Sequence, residues 1–545
     1  MQGMRIKWGN VIIFLLIIAA AVAAFYFRDF PKNNVSINTG TNENQNGRLS
    51  SPTDDYMIDD KWDDYTIPSD DEFTMGLDSW IGGTPVLIGL SRGYNDDYSL
   101  NLNIKYISAD SDRIRALNEG RIHATEMSLP SFMRFQEKYP DSAVIVGITD
   151  FSRGADGIVA KSEVKDLNDI EGRRVSYVAN GTGKFILNKF LRLVGLRYQD
   201  IEPVERENMS EVIEDLKSGY SDLIVSWSPD MNIAVNEINA KKPDSVKVLI
   251  NTKEVPDLVP TMLVVNRGYA ERNPEMVENF LRTWFAASKY IIEKPDRAYE
   301  KLAELMSENE EYGPVSKEEV EASFKDIKLM SLNENLEYFG INRGENRIES
   351  IINDTVETWK RYGDMSKGFV PSDDVFSAGY LEKLNNDEEL LVGVVDTGTS
   401  ENNPQSEGQK KEFKEQNEQS IEQNTERVAK VDIPPVYYDS GKATVKAESL
   451  PVLDEVLDIL SQFPEYYLIV DAHTDSVGSD ESNLKLSKDR ALEVKKYLVQ
   501  NGVDENRIVA RGWGEYRPIV ANELTEEDRA KNRRTEFILT REIQN

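Results

Sequence analysis

The chain of 545 residues has no cysteine and only two histidines, His123 and His473. Without cysteine it can form no disulfide, thiolate metal site, iron–sulfur cluster or thiol nucleophile. The two histidines lie far apart in different predicted domains, so chemistry built on several imidazoles is not expected either. Basic residues are outnumbered, 64 Lys and Arg against 96 Asp and Glu, for a net charge of -32. Phosphate contacts need clustered Lys and Arg, so nucleic acid is not an expected partner. No nucleophile motif, Walker loop or metal cluster accompanies the carboxylates. The expectation is a protein that is not an enzyme, with no cofactor and no metal, whose chemistry is recognition. At roughly 100 to 200 residues per domain, this length suggests two to four domains.

Long hydrophobic runs are also scarce, with one exception. Val11 to Phe27 is an unbroken stretch of 17 apolar residues, and with its flank from Trp8 it can cross a hydrocarbon core of about 30 Å at about 1.5 Å per residue. Arg5 and Lys7 precede it, which puts the N-terminus in the cytoplasm and the bulk of the chain outside. Residues 8–28 therefore read as a transmembrane anchor, and the membrane as a partner of this helix. The competing reading is a cleaved signal peptide, since Ala21-Val22-Ala23 fits the small-x-small pattern. Phe25, Tyr26 and Phe27 extend the apolar stretch past that site as an aromatic belt and favour the anchor.

Two polar segments divide the remainder. Residues 29–72 are rich in Asn, Asp, Ser, Gly and Pro, with eight aspartates between Asp54 and Asp71, and such a segment buries too little apolar area to offset its ordering entropy. A second polar tether covers 393–427, where Phe413 and Ile421 are the apolar exceptions from Thr397 to Thr425. They bound a middle domain, 73–392, and a C-terminal domain, 428–545.

In the middle domain, apolar strand candidates at Val86 to Leu90, Ala143 to Ile148, Ile158 to Ala160, Val175 to Val178, Leu223 to Ser226 and Met262 to Val265 alternate with helical patterns, which predicts α/β architecture with parallel sheets. Asn273 and Pro274 open a helix whose buried face runs through Val277, Phe280, Leu281, Trp284, Ala287, Ser288 and Ile291. The stretch from Arg113 to His123 echoes that from Val212 to Asp222, each a helix ending at glycine (Gly120, Gly219) before a strand. Two such units suggest two like-built lobes with a ligand at the carboxyl ends of their strands.

Several motifs in this domain, taken in order, carry a family resemblance: Ser79-Trp80-Ile81-Gly82-Gly83-Thr84-Pro85, Gly93-Tyr94, Ser152-Arg153-Gly154-Ala155-Asp156-Gly157, Leu167 to Val175 and Trp227-Ser228-Pro229. Residues 75–385 resemble the nitrate/sulfonate/taurine-type solute-binding proteins of ABC transporters. That likeness implies a two-lobed periplasmic-binding-protein fold of type 2, a small organic or inorganic solute, and an ABC permease as an admissible partner. It maps the solute-contacting loops onto Trp80, Gly82, Ser128, Gly154, Ala155, Thr182 and Trp227. Asn180-Gly181-Thr182-Gly183 follows a strand and opens a helix, so its amides suit an anion; Trp80 and Trp227 suit an organic group between them.

In the C-terminal domain a strand-like run, Tyr466 to Asp471, leads into Ala472-His473-Thr474-Asp475. A loop through Gly478 and Asn483 precedes a helix expected to start at Ser487. Arg490 then falls in the first turn, opposite Asp475, and the pair can hold a zwitterion. His473 is read as a structural hydrogen-bonding residue. With Tyr438-Asp439-Ser440-Gly441, Gly512-Trp513-Gly514-Glu515 and Arg529 to Glu536, these motifs resemble the OmpA C-terminal family from about 435 to 541. That resemblance implies a βαβαβ-type fold that grips the diaminopimelate stem of peptidoglycan through Asp475 and Arg490, with Asn483, Arg533 and Arg534 in support. Together the expectation is a single-pass, membrane-anchored solute-binding protein with its bulk in the periplasm or cell-wall zone, held non-covalently to the wall. The alternative is an envelope tether whose middle domain is not a transport receptor.

Overall fold

The computed structural model describes residues 67–543, apart from Asp70, Asn180, 310–313, 343–345, 393–412 and Ser440. The expected anchor, nearly all of the acidic linker, and the 393–412 part of the second tether lie outside the described residues. Among the described residues no helix is long and apolar enough to cross a membrane.

The middle domain holds two sheets. The strands of the first are β1 (Phe73–Leu77), β2 (Leu102–Tyr106), β3 (Ala124–Ser128), β4 (Ala143–Ser152), β10 (Pro260–Asn266) and β11 (Ile327–Leu329), in the order β11-β4-β10-β3-β1-β2. The second is built from β5 (Asp156–Lys161), β6 (Arg174–Val178), β7 (Glu202–Arg206), β8 (Leu223–Trp227) and β9 (Val246–Asn251), in the order β7-β6-β8-β5-β9. The chain crosses from the first lobe to the second between β4 and β5 and returns between β9 and β10. Both sheets are mixed rather than parallel throughout, because the crossing strands enter in reverse: β10 is antiparallel to β3 and β4, and β5 to β8 and β9. Every residue of β4 is buried, as its apolar run Ala143 to Ile148, covered on both faces, requires.

Val86 to Leu90 is helical, not a strand. Pro85 occupies the first turn of the helix Pro85–Arg92 and Gly93 closes it at φ 75°; a short apolar run carries no period of its own, and these two punctuating residues decide it. The helix Pro274–Glu293 buries the expected face, with Trp284 fully enclosed. The echo also stands: helices Asp110–Asn118 and Met209–Ser218 are followed by Gly120 and Gly219 at φ 72° and 78°, and lead into β3 and β8.

The C-terminal sheet comprises β12 (Thr425–Val431), β13 (Tyr467–His473), β14 (Ile508–Gly514) and β15 (Thr535–Glu542), in the order β12-β15-β13-β14. The expected βαβαβ path runs β12, helix Leu450–Gln462, β13, helix Asp480–Gln500, β14. β15 then inserts between β12 and β13, antiparallel to both. The second helix starts at Asp480 under a Ser479 cap, so Asn483 is helical and Arg490 lies well inside. Ser487 is not a cap: it is buried, and its hydroxyl accepts from the Gly514 amide at 2.8 Å. Gly512 allows that close approach, since a Cβ there would stand 2.2 Å from the Lys488 nitrogen. Phe413 and the helix Glu418–Asn424, inside the span read as a tether, are ordered against this sheet, with Phe413 edge-on to Tyr467 at 5.0 Å.

Candidate functional site

Two sites can be built from these elements. The first lies between the lobes, where Ser128, at the end of β3, caps the helix Leu129–Lys138, and Thr182 opens the helix Thr182–Leu193 of the other lobe. Their hydroxyls are 2.7 Å apart. Two helix N-termini thus meet across the lobes, each with amides not used within its helix, an arrangement that favours an anionic group. Asn180 of the expected cradle lies outside the described residues.

Trp80 and Gly82, just after β1, face a group that sequence reasoning missed. The Trp80 indole donates to both Asp150 oxygens at 3.2 Å, and a Cβ on Gly82 would stand 1.9 Å from Asp150 Oδ2. Asp150 also accepts from Thr149 at 2.6 Å. Burial pushes its carboxyl up to about 7 despite these bonds, and burial lifts the nearby Asp156 to about 6. The signal was available as an acidic residue continuing a wholly apolar run, but the strand was expected to stop at Ile148.

Gly154 and Ala155 do not offer free amides to a solute. Gly154 donates to Thr252 Oγ1 at 2.9 Å, which joins the two crossovers, and Ala155 donates to the Asp326 carbonyl at 3.1 Å; the hydroxyls of Ser152, at the end of β4, and Thr252 are 2.6 Å apart. Trp227 packs on the second lobe's core and Trp80 on the first lobe's, with no ring contact between them among the described residues.

The second site sits beyond the carboxyl end of β13. Asp475 pairs with Arg533 at 2.7 Å, not with Arg490, and this bond holds the Arg533 guanidinium above its ordinary range. Arg533 also reaches Glu526 at 2.6 Å. Asn483 donates to the Asp475 carbonyl at 3.2 Å and to Glu515 at 2.6 Å. Arg490 lies 4.7 Å over the Tyr438 ring and donates from Nε to the Lys442 carbonyl at 3.1 Å. Its two terminal amino groups have no protein acceptor among the described residues. Burial lowers its pKa, opposed by Tyr438 and Asp475, and it remains a cation. The Tyr438 hydroxyl is in turn fixed by Thr535 at 2.7 Å.

Arg534 turns away to Glu536 at 2.7 Å. Burial raises the Glu536 carboxyl, but Lys430 and Arg534 outweigh it and hold it at about 2. His473 is buried and held near 4 by burial and Arg534, and among the described residues neither ring nitrogen has a hydrogen-bond partner, contrary to the expected role. What the site presents is a guanidinium with an unused fork beside an ion-paired carboxylate, chemistry suited to a zwitterion.

Comparison with known proteins agrees with this division. Residues 437–533 match the OmpA family and residues 80–298 the "NMT1/THI5 like" family. The C-terminal part is thus an OmpA-family domain and the middle part an NMT1/THI5-like domain. The chain is similar to outer membrane porin F of Pseudomonas fluorescens, 44% identical over 110 residues, covering 20% of this chain and 33% of that one. It is also similar to the peptidoglycan-binding protein ArfA of Mycobacterium bovis, 35% identical over 105 residues, covering 19% and 32%. The chain therefore spans about a third of the length of these two curated relatives. Among solved structures it is similar to the periplasmic aliphatic sulphonate binding protein of Escherichia coli, with a TM-score of 0.45 and 16% identity, covering 57% of this chain and 99% of that one.

Asp150 supplies a pH test. Its folded value of about 7 exceeds the ordinary 3.8, so the folded form takes up a proton first. The cost of its buried charge is present above pH 7 and fades as pH falls toward 4. Asp150→Asn should therefore be more stable than the wild type at pH 8, on the order of a few kcal/mol, with the gap narrowing steadily below pH 7 and closing near pH 4 in thermal unfolding curves. A pH-independent difference would contradict the raised value.

Proposed function

We propose that this protein is an extracytoplasmic solute receptor, anchored in the membrane through residues 8–28 and held to the cell wall by its OmpA-family domain. The observation that carries the wall-binding part is Arg490: a mostly buried guanidinium braced by Tyr438 and Lys442, with both terminal amino groups unclaimed among the described residues, beside Asp475. A carboxylate takes that fork in bidentate fashion, while an ammonium competes with Arg533 for Asp475. The D-centre of a diaminopimelate stem carries both groups on one carbon, which matches the pair. The name of the mycobacterial relative, a peptidoglycan-binding protein, supports the same reading.

Sedimentation with purified diaminopimelate-type sacculi tests it. Removing one partner of a desolvated charge pair typically costs about 2–5 kcal/mol. Asp475→Ala and Arg490→Ala should therefore each weaken binding by at least about thirtyfold, with Arg490→Lys only partly restoring it. Variants that sediment like the wild type would defeat this binding mode.

The solute-receptor part rests on the two-lobed fold and on the meeting of two helix N-termini at Ser128 and Thr182. A permease would act downstream of such a receptor. Thermal-shift measurements on the chain with sulfonates, nitrate, amines and pyrimidines should find one that stabilises the middle domain by about 2.7 kcal/mol at a hundred times its dissociation constant. No shift with any of them favours the tether reading, to which the internally satisfied amides of Gly154 and Ala155 already lend weight.

A further inference from the structure

The outer edge of the C-terminal sheet is β12, and an open edge strand needs a cover. Here the cover is the second lobe. The Asn168 carboxamide donates to the Lys430 carbonyl at 3.0 Å and accepts from the Lys430 amide at 2.7 Å, as a neighbouring strand would. The Asp432 amide donates to the Leu193 carbonyl at 3.1 Å. Arg427 pairs with the buried Asp166, which also caps the turn that carries Asn168. Gly195 lies at φ 71°, and a Cβ there would be 2.2 Å from Asp432 Oδ2, so no other residue fits this contact without a shift. Leu167, Ile170, Leu193 and Val194 of the lobe belong to the same continuous apolar cluster as Val428 and Val431.

One contact reaches beyond the lobe's surface. Arg541, near the end of β15, bonds Glu254 at 2.5 Å while also holding Glu426 at 2.7 Å. Glu254 lies in the returning crossover between the lobes, residues 252–259. That segment is fixed at two more points: Thr252 meets Ser152, the last residue of β4, at 2.6 Å, and Asp257 takes Arg153 of the other crossover at 2.9 Å, Arg347 at 2.7 Å and the Tyr338 hydroxyl at 2.9 Å. Lobe closure works through such connecting segments. A group that holds one of them in one state shifts the balance between states, and the effect is reciprocal.

We propose that the C-terminal domain is docked on the second lobe and, through Arg541 and Glu254, couples engagement of the wall to movement of the lobes. The wall-facing residues leave the docking face clear: Asp475 follows the carboxyl end of β13, while Arg541 lies at the opposite end of the sheet, next to the strand's start at Tyr467. The docking is independent of the proposed function, and the coupling to the wall rests on it.

Hydrogen exchange on the full chain in detergent, read by mass spectrometry, separates the two. Amides of 252–259 should exchange about tenfold faster in Arg541→Gln and in Asn168→Ala than in the wild type, while the helix Asp480–Gln500 is unaffected. Adding diaminopimelate-type sacculi should change exchange in 252–259 of the wild type, and should not in Arg541→Gln, although that variant still sediments. Equal exchange in all three proteins, or sacculi that bind and leave 252–259 unchanged, would overturn the coupling. If sacculi fail to sediment the wild type, the wall-binding reading falls, and the variant comparison without sacculi still decides the docking.

Discussion

The arrangement of this protein depends on how one strand edge is kept from water and from other chains. β12 is the outermost strand of the C-terminal sheet, and its free side is met by Asn168, Leu193 and Asp166 of the second lobe. A single carboxamide that supplies both an acceptor and a donor to Lys430 replaces a missing strand. Gly195 removes the one Cβ that would hold the surfaces apart. The consequence is mechanical. A domain expected to ride on a polar tether instead rests on a lobe and holds the segment through which that lobe is connected.

Charge is distributed accordingly. The acidic excess of the chain does not describe its sites, because at each functional point a few basic groups are set against selected carboxylates. Arg541 bridges Glu254 and Glu426, Arg533 bridges Asp475 and Glu526, and Lys430 and Arg534 converge on Glu536. Arg490 differs from all of these, since its fork has no acceptor among the described residues. Between the lobes the balance reverses, with Asp150 buried under Trp80 and no cation against it among the described residues, while two helix N-termini meet nearby at Ser128 and Thr182.

Much of the fold was legible from the residues. The periodic face of Pro274–Glu293, the paired glycine stops at Gly120 and Gly219, and the strand preceding Asp475 all depend on local pattern, which survives folding. What was not legible depended on distant contacts. Val86 to Leu90 has no period to distinguish strand from helix. Ser479 and Ser487 both make plausible caps, and only the bond from Gly514 shows that Ser487 is interior. Asp475 had two arginines within reach, and spacing along the chain could not select Arg533 over Arg490. Asn168 reads as an ordinary polar turn residue, because its partner lies 262 residues away.

The central claim is that the second lobe and the C-terminal domain form one docked unit. The absence of cysteine makes it directly measurable: Asp169→Cys, next to Asn168, and Lys430→Cys, whose docking bonds come from its backbone, are when introduced together the only thiols in the chain, and a short bis-maleimide can join them only where the two segments are neighbours. Docking predicts rapid, nearly complete intramolecular cross-linking at a rate independent of protein concentration, and its loss in urea. Slow or partial cross-linking that urea leaves unchanged would show that the two domains move independently on their tether, and would contradict the account.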